Sequence, residues 1–477
     1  MARQRAARTG TGAAARQLAV FSRLQGLLPP GLRQRLGQKL ATGAGRMALV
    51  ILAIRIAGAA LAYLSQIVLA RWMDAADYGI FAVVWTLALV LGLLASLGFS
   101  ASPTRFVPQY NAAKDMNRLR GFLSASRLLV LAAASLTTLA GLEVILWSRS
   151  LIDPLYVWPA AIALLAVPLF ALTSVQDAIA RSYDLPALGL LAAFIYRPLL
   201  LLALLLPLVL TGHIVTAAIA AMMAVAASLA VTAHQAWTLQ RELNRRIPAG
   251  PHRHDMRLWI AVSLPLLMVE GFLQLLSSAD VVMVSFWRPP EEVAVYFAAS
   301  KTLALVHFVH FAVRAASAHR FAGLAQDANR SALAAYARQT SRWTFWPSLT
   351  AGTALILLSP LLLALFGPQF SAGAPLIAVL VIGVLARASI GPADALLGMS
   401  GHQKSCAAVY AGVFAVNVCL NMVMIPLYGL IGAAVATSLA MVIEAIALAL
   451  MTRRRLGFVP FALLPDRRDK SSRTGTT

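Results

Sequence analysis

The sequence predicts an all-α polytopic membrane protein, with about 12 transmembrane helices in two parallel six-helix lobes. Three observations carry this expectation. Of the 477 residues, 60% are hydrophobic and only 12% charged, more apolar surface than one soluble core conceals. Apolar runs of about 20 residues, the length that crosses a bilayer, follow one another from Met47 to Met451. The chain also repeats itself at an offset of 215 residues, so that Trp72 falls on Trp287, Asp77 on Glu292, Phe81 on Tyr296, Arg105-Phe106 on Arg320-Phe321, and Ser126-Arg127 on Ser341-Arg342.

In chain order, residues 1–46 form a basic tail with nine Arg/Lys and no acid. Leu24, Leu27, Leu28, Leu32, Leu36 and Leu40 interleave there with Arg23, Arg33, Arg35 and Lys39. The tail is either a basic helix lying on anionic headgroups, broken at Pro29-Pro30, or a solvated segment. No apolar h-region and cleavage site mark it as a signal peptide. The first lobe, 47–239, holds spans near 47–70, 78–101, 122–147, 155–180, 186–210 and 213–238. A polar linker, 240–257, carries Arg241, Arg245, Arg246 and Arg253 with Pro248 and Pro251. The second lobe, 258–452, holds spans near 258–286, 293–315, 343–366, 374–398, 405–427 and 430–451, and a basic tail, 453–477, follows.

Basic residues decide orientation. One set of alternate loops, with both tails, holds Arg105, Lys114, Arg118, Arg120, Arg181, the linker cluster, Arg320, Arg330, Arg338 and Lys404. The opposite set holds only Arg71, Arg149 and Arg288. Both termini are therefore expected in the cytoplasm. An even number of spans per unit returns the chain to its starting side, so the repeats run parallel, with a pseudo-twofold along the membrane normal. The net charge of +22 belongs to this topology signal and does not call for a nucleic-acid partner. Continuous apolar runs exclude a β-barrel, in which the pattern alternates. Cys406 and Cys419 are expected as free thiols, because their spacing suits no helix-face pair or metal site.

Local motifs then resemble a known family. Leu69-Ala70-Arg71, Asp77-Tyr78-Gly79 and Ser96-Leu97-Gly98, with Arg105 and Pro108, look like the opening of the oligosaccharide-lipid (Wzx-type) flippases. The second half adds Ala279-Asp280 leading to Phe286, Phe366-Gly367, the stretch from Gly398 to Lys404, and Leu420-Asn421. It closes with Ile425-Pro426-Leu427-Tyr428-Gly429 and Gly432-Ala433-Ala434-Val435-Ala436-Thr437. The resemblance covers Arg46 to Arg455. It implies a MATE-like V of two lobes working by alternating access, of the superfamily that also holds multidrug exporters and lipid II flippases. It further implies a cargo of undecaprenyl-pyrophosphate-linked glycan and a bacterial inner-membrane location. The two extra spans typical of lipid II flippases are missing.

Charges inside the membrane are costly, about 3 kcal/mol each on insertion scales, and tend to mark function. Arg55 lies in the first span, Arg197 in the fifth, Lys301 in the eighth and Arg387 in the tenth. Guanidinium bonds phosphate bidentately and stays charged when dehydrated, and a lysine ammonium supplies a compact point charge, so these four are the candidates for gripping a pyrophosphate. The alternative is an intramembrane ion pair, for instance Arg55 with Glu270, which stands at the repeat-equivalent position. Arg105, Arg127, Arg320 and Arg342 are expected as anchors at the cytoplasmic interface.

A second constellation offers oxygens to a coupling cation, Na⁺ or H⁺. Asn417 and Asn421 share one face of the eleventh span. Lipid II flippases place a sodium site among the seventh, eleventh and twelfth spans, and the resemblance transfers this to Asn417, Asn421, Asp280, Glu270 and Thr437. The competing reading is plain helix-to-helix hydrogen bonding. His307 and His310 have no acid or thiol at ligand spacing, so no metal or other cofactor is expected, and no nucleophile–base pair or nucleotide-binding motif is present.

The expected function is therefore a flippase for a polyprenyl-pyrophosphate-linked oligosaccharide, serving O-antigen, exopolysaccharide or capsule assembly beside glycosyltransferases and a polymerase. A lipid II flippase or multidrug exporter of the same fold is the first alternative. A membrane-embedded polymerase or ligase is the second, although the outside loops are short for such an enzyme.

Overall fold

The computed structural model describes residues 43–464 apart from Leu151 and Ala328, with side chains from Ala53 onward. The stretch Leu24–Leu40, read as either a basic helix or a solvated segment, lies outside the described residues, as does the C-terminal tail beyond Leu464. The chain forms two compact units, Met1–Ala57 and Gly58–Thr477.

Every regular element among the described residues is helical. In order these are α1 (Gly43–Trp72), α2 (Ala75–Ala95), α3 (Pro103–Ala112), α4 (Met116–Trp147), α5 (Pro154–Leu164), α6 (Val167–Ser182) and α7 (Pro186–Leu191). A π turn over Ala192–Tyr196 leads into α8 (Arg197–Leu210), followed by α9 (Ala217–Arg246). The second half comprises α10 (Met256–Leu276), α11 (Ala279–Val284), α12 (Pro290–Gln326), α13 (Arg330–Ala364), α14 (Ala374–Ser389), α15 (Ala393–Met399) and α16 (Gln403–Leu456).

Eleven of the described helical stretches are long and apolar enough to cross a membrane. The last, α16, has 54 residues, about 81 Å of helix, far more than the ~30 Å hydrocarbon core requires. It is broken at Gly429, whose φ of 62° and ψ of −139° lie in a region that only glycine occupies freely. Counting the two arms of α16 separately recovers the expected twelve. Pro426 weakens the helix just before the break, and Gly432 lets the returning arm lie against the Met424 carbonyl, where a methyl group would collide. The Ile425–Gly429 motif is thus the hinge between the last two spans.

Caps set the other boundaries. Asp74 caps α2 through the Asp77 amide at 2.7 Å, and the Asp77 carboxylate caps α9 by accepting from the Ala217 amide at 2.7 Å. Arg71 closes α1 by donating to the terminal carbonyls of α13, Leu365 and Ala364, both at 2.7 Å. Spans one and nine therefore end on one side, as odd-numbered spans must.

Several boundaries differ from the sequence expectation: α9 and α12 run on to Arg246 and Gln326, the fourth and tenth spans are each split into two helices, and three other changes bear on named residues. The second span stops at Ala95 rather than 101, because Leu97 (φ 52°) and Gly98 (φ 80°) turn the chain left-handed and Pro103 starts α3. The seventh breaks at Ser277-Ser278, which sets Asp280 in the first turn of α11. The ninth begins at Arg330, capped by Asn329, since Leu333, Tyr336 and Ala337 give its first turns an apolar face to bury.

The two halves meet chiefly where α2 lies along α12. The most apolar windows of these helices are 67% and 61% buried, against 17% for α4 and 11% for the 186–210 span, whose leucines are left for lipid. Tyr78 is fully buried and its ring meets Phe297 edge-on at 5.9 Å. Gly79 packs against the Pro290 backbone and Gly98 against that of Ser263, positions where any side chain would collide. In the second half Gly383 admits the Ser438 backbone, and Ala433, Ala434 and Ala436 are fully buried. The run Gly432–Thr437 is thus a close-packed small-residue helix face.

Candidate functional site

The densest group of charges inside the described spans belongs to the second half. The Arg387 guanidinium, in the last turn of α14, forms an ion pair with the Glu444 carboxylate on the second arm of α16, N to O 3.1 Å. Arg314 on α12 bonds Asp394, in the first turn of α15, at 2.7 Å. Glu444 is 2% exposed, and Asp394, His310 and Tyr410 are also buried. His307, His310 and Arg314 follow at helical spacing along α12, so one face of that helix carries the whole row. His307 and His310 both feel the Arg387 charge, and Tyr410 lies beside the same guanidinium. Neither ring nitrogen of His310 has a hydrogen-bond partner among the described residues. Four helices are therefore joined by two ion pairs, in which Arg387, Glu444 and Asp394 are largely shielded from solvent while Arg314 stays exposed.

The four cations expected to meet a pyrophosphate stand in different surroundings. Arg55 is exposed on α1, within the N-terminal unit. Arg197 follows the π turn, and its guanidinium lies over the Phe170 ring at 4.7 Å within the first half. Arg387 is engaged by Glu444. Lys301, on α12, is exposed. Its ammonium sits 4.6 Å from the centre of the Phe297 ring, the ring that touches Tyr78 of the first half. The next residue, Thr302, hydrogen-bonds the Tyr63 hydroxyl of α1 at 3.2 Å. Lys301 is thus an accessible cation one helical turn from the seam between the halves.

The oxygen donors fall into three groups. The buried Asp280 accepts from the Tyr296 hydroxyl at 2.8 Å, and that hydroxyl is 3.4 Å from Thr437 Oγ1, so spans seven, eight and twelve converge on one tyrosine. Lys301 is close enough for its charge to act on Asp280. Asn421 donates to the Asn417 carbonyl at 2.9 Å, leaving Asn417 Nδ2 and Asn421 Oδ1 buried without partners among the described residues. Glu270 accepts from Ser100 Oγ at 2.8 Å, which ties α10 to the turn after α2. Cys406 is buried and Cys419 exposed, both unpaired as expected.

Sequence reasoning singled out Arg387 but missed its pairing, and missed Arg314 and Asp394. The repeat holds the signal that finds them. At the same 215-residue offset, Arg314, Arg387, Asp394, Tyr410 and Glu444 correspond to Phe99, Leu172, Ile179, Ile195 and Leu229. Asp280 and Tyr296 correspond to Ser65 and Phe81. At these places charged and polar groups stand where the first half has apolar residues or, at Ser65, a neutral one, so the two halves differ in charge.

A family model described as polysaccharide biosynthesis protein matches residues 44–318. Among curated proteins, none matches the sequence significantly. Among solved structures, the chain is similar to a multidrug resistance MATE family transporter of the MOP superfamily in an inward-facing conformation, with a TM-score of 0.69, 16% identity, and 86% of this chain and 98% of that one covered. It is also similar to the lipid II flippase MurJ in an inward closed conformation, with a TM-score of 0.65, 15% identity and coverage of 85% and 87%. A MOP superfamily transporter from Pyrococcus furiosus, described as having a binding pocket of reverse polarity, aligns with a TM-score of 0.63, 15% identity and coverage of 87% and 96%. At such identities the likeness establishes the fold.

Proposed function

Because this chain belongs to the polysaccharide biosynthesis protein family, we propose that it is a flippase carrying a polyprenyl-pyrophosphate-linked oligosaccharide from the cytoplasmic to the outer leaflet of the bacterial inner membrane. The observation that carries this reading is Lys301, an ammonium held accessible beside the seam of the two halves. A diphosphate brings about two negative charges and several acceptors to such a cation. The lobes 47–239 and 258–452 then rock about the seam, with both termini cytoplasmic, and the lipid tail stays in the bilayer while the glycan crosses.

Cargo moves such an equilibrium only by binding one state better than the other. Arg387 supplies the difference if phosphate oxygens replace Glu444 as its partner. The freed carboxylate, or Asp280 with Tyr296 and Thr437, then takes up the coupling Na⁺ or H⁺. Arg55 is assigned to the cytoplasmic approach of the headgroup. The product feeds O-antigen, exopolysaccharide or capsule assembly, downstream of glycosyltransferases and upstream of a polymerase.

A multidrug exporter is the second reading, favoured by the likeness in fold. An organic cation needs an acidic or aromatic recess, and an accessible lysine repels it. A deletion strain distinguishes the two. The wild-type gene is expected to restore surface polymer without changing drug sensitivity, and Arg55→Ala to restore little of it. Drug resistance without a glycan phenotype contradicts the flippase reading.

A further inference from the structure

The repeat exposes a second anion site, at the end of the first half. Arg127 on α4 and Arg342 on α13 are repeat equivalents, and each faces the chain that follows the sixth span of its half. In the second half that segment folds back as a strap. Arg342 donates to the Ala462 carbonyl at 3.1 Å and the Leu464 carbonyl at 2.7 Å, and Ser341 Oγ donates to the Pro460 carbonyl at 2.8 Å.

In the first half the equivalent strap is held by a different arginine. Arg120 takes the Pro251 carbonyl at 3.0 Å and the Pro248 carbonyl at 2.8 Å, and Gly250 leaves room for its guanidinium. Position 335, where the second half would need a counterpart of Arg120, is alanine. Arg127 consequently loses the carbonyls that its equivalent enjoys. It keeps one partner, Gln240 Oε1 at 2.7 Å, while its Nε and Nη2 are buried with no acceptor among the described residues. Gln240 is oriented in turn by Asn244 at 2.7 Å.

Beside Arg127 lies a cavity of about 550 Å³, walled also by Arg120, Ser124, Gln240, Asn244 and His252. That volume is within the range of roughly 300–1,000 Å³ typical of small-ligand sites. No carboxylate is among its lining residues. A guanidinium short of acceptors, hydroxyl and amide groups beside it, and an acid-free wall describe a receptor for phosphoryl oxygens.

We propose that this cavity binds a phosphoryl anion, presented either by a soluble phosphate compound or by the headgroup of an anionic lipid. The anion supplies to Arg127 the acceptors that Ala462 and Leu464 supply to Arg342, and it clamps the linker to α4 on the side that the basic loops assign to the cytoplasm. The site does not depend on the transport reading, since none of its residues belongs to the seam.

The test uses the full chain carrying Lys301→Ala, so that the proposed transport cation contributes nothing. In phosphatidylcholine nanodiscs, calorimetric titration with inorganic pyrophosphate reads the soluble source. Native mass spectrometry after exchange into phosphatidylglycerol reads the lipid source. Saturable, salt-sensitive binding in one arm or both is expected, and the responding arm identifies the source. Arg127→Gln should weaken it about tenfold or more. Ser124→Asp, which places a carboxylate in the wall at an exposed position, should do the same without removing a folding contact of Arg127. Absence of saturable binding in both arms overturns the proposal, as does binding of wild-type strength in both variants.

Discussion

Replacing Glu444 by alanine is expected to destabilise the protein by about 3–5 kcal/mol, because it removes the carboxylate paired with the Arg387 guanidinium and leaves only Asp394 nearby, a carboxylate already held by Arg314. Thermal unfolding of the purified protein in detergent reads the loss. Desolvating two charges offsets most of their attraction, so the pair itself contributes little net stability. An apolar pair of similar volume, Arg387→Met with Glu444→Leu, should therefore recover most of the melting temperature. Export then separates two roles. A stable but inactive double variant means that the charges act in transport, and a stable, active one means that they only hold α14 to α16. Wild-type melting of Glu444→Ala would contradict the pairing itself.

Lys301→Ala is the variant expected to cost most in cargo recognition. A hydrogen bond to a charged group contributes about 1.5–3 kcal/mol, so affinity for inorganic pyrophosphate should fall by roughly 10- to 150-fold. The ammonium is accessible, and removing it leaves Phe297 packed on Tyr78, so the unfolding temperature should hardly move. Lys301→Arg should recover much of the binding, since guanidinium also reaches phosphate. Equal affinity with and without Lys301→Ala in an Arg127→Gln background, measured by titration, would remove Lys301 from the site.

Much of the fold was legible because lipid imposes a simple rule: every span must satisfy its own backbone, so length and hydropathy reveal it. The boundary expected between the spans near 405–427 and 430–451 falls at Gly429, although the sequence reading did not mark that glycine as the break. The turn at Leu97-Gly98 was hidden within an apolar run, since nothing in hydropathy reports a positive φ. The Asp280–Tyr296–Thr437 group was partly legible, since its aspartate and threonine were suspected, but its organising tyrosine reads as one more apolar aromatic. Arg314 and Asp394 were missed because each looks solitary in the sequence, 80 residues apart, and only packing makes them a pair. Arg120 read as a basic loop residue and Arg127 as an interface anchor, and only the course of the linker shows that one is saturated and the other is not.

The central claim, movement of a lipid-linked pyrophosphoryl oligosaccharide across the bilayer, is tested most directly in proteoliposomes. A short polyprenyl-pyrophosphate oligosaccharide with a fluorescent sugar is confined to one leaflet and then challenged with a membrane-impermeant quencher. Protein-dependent transfer that fails in Lys301→Ala is the result expected here. A rate no higher than in protein-free liposomes, from protein that is folded and exports an organic cation, would contradict the account.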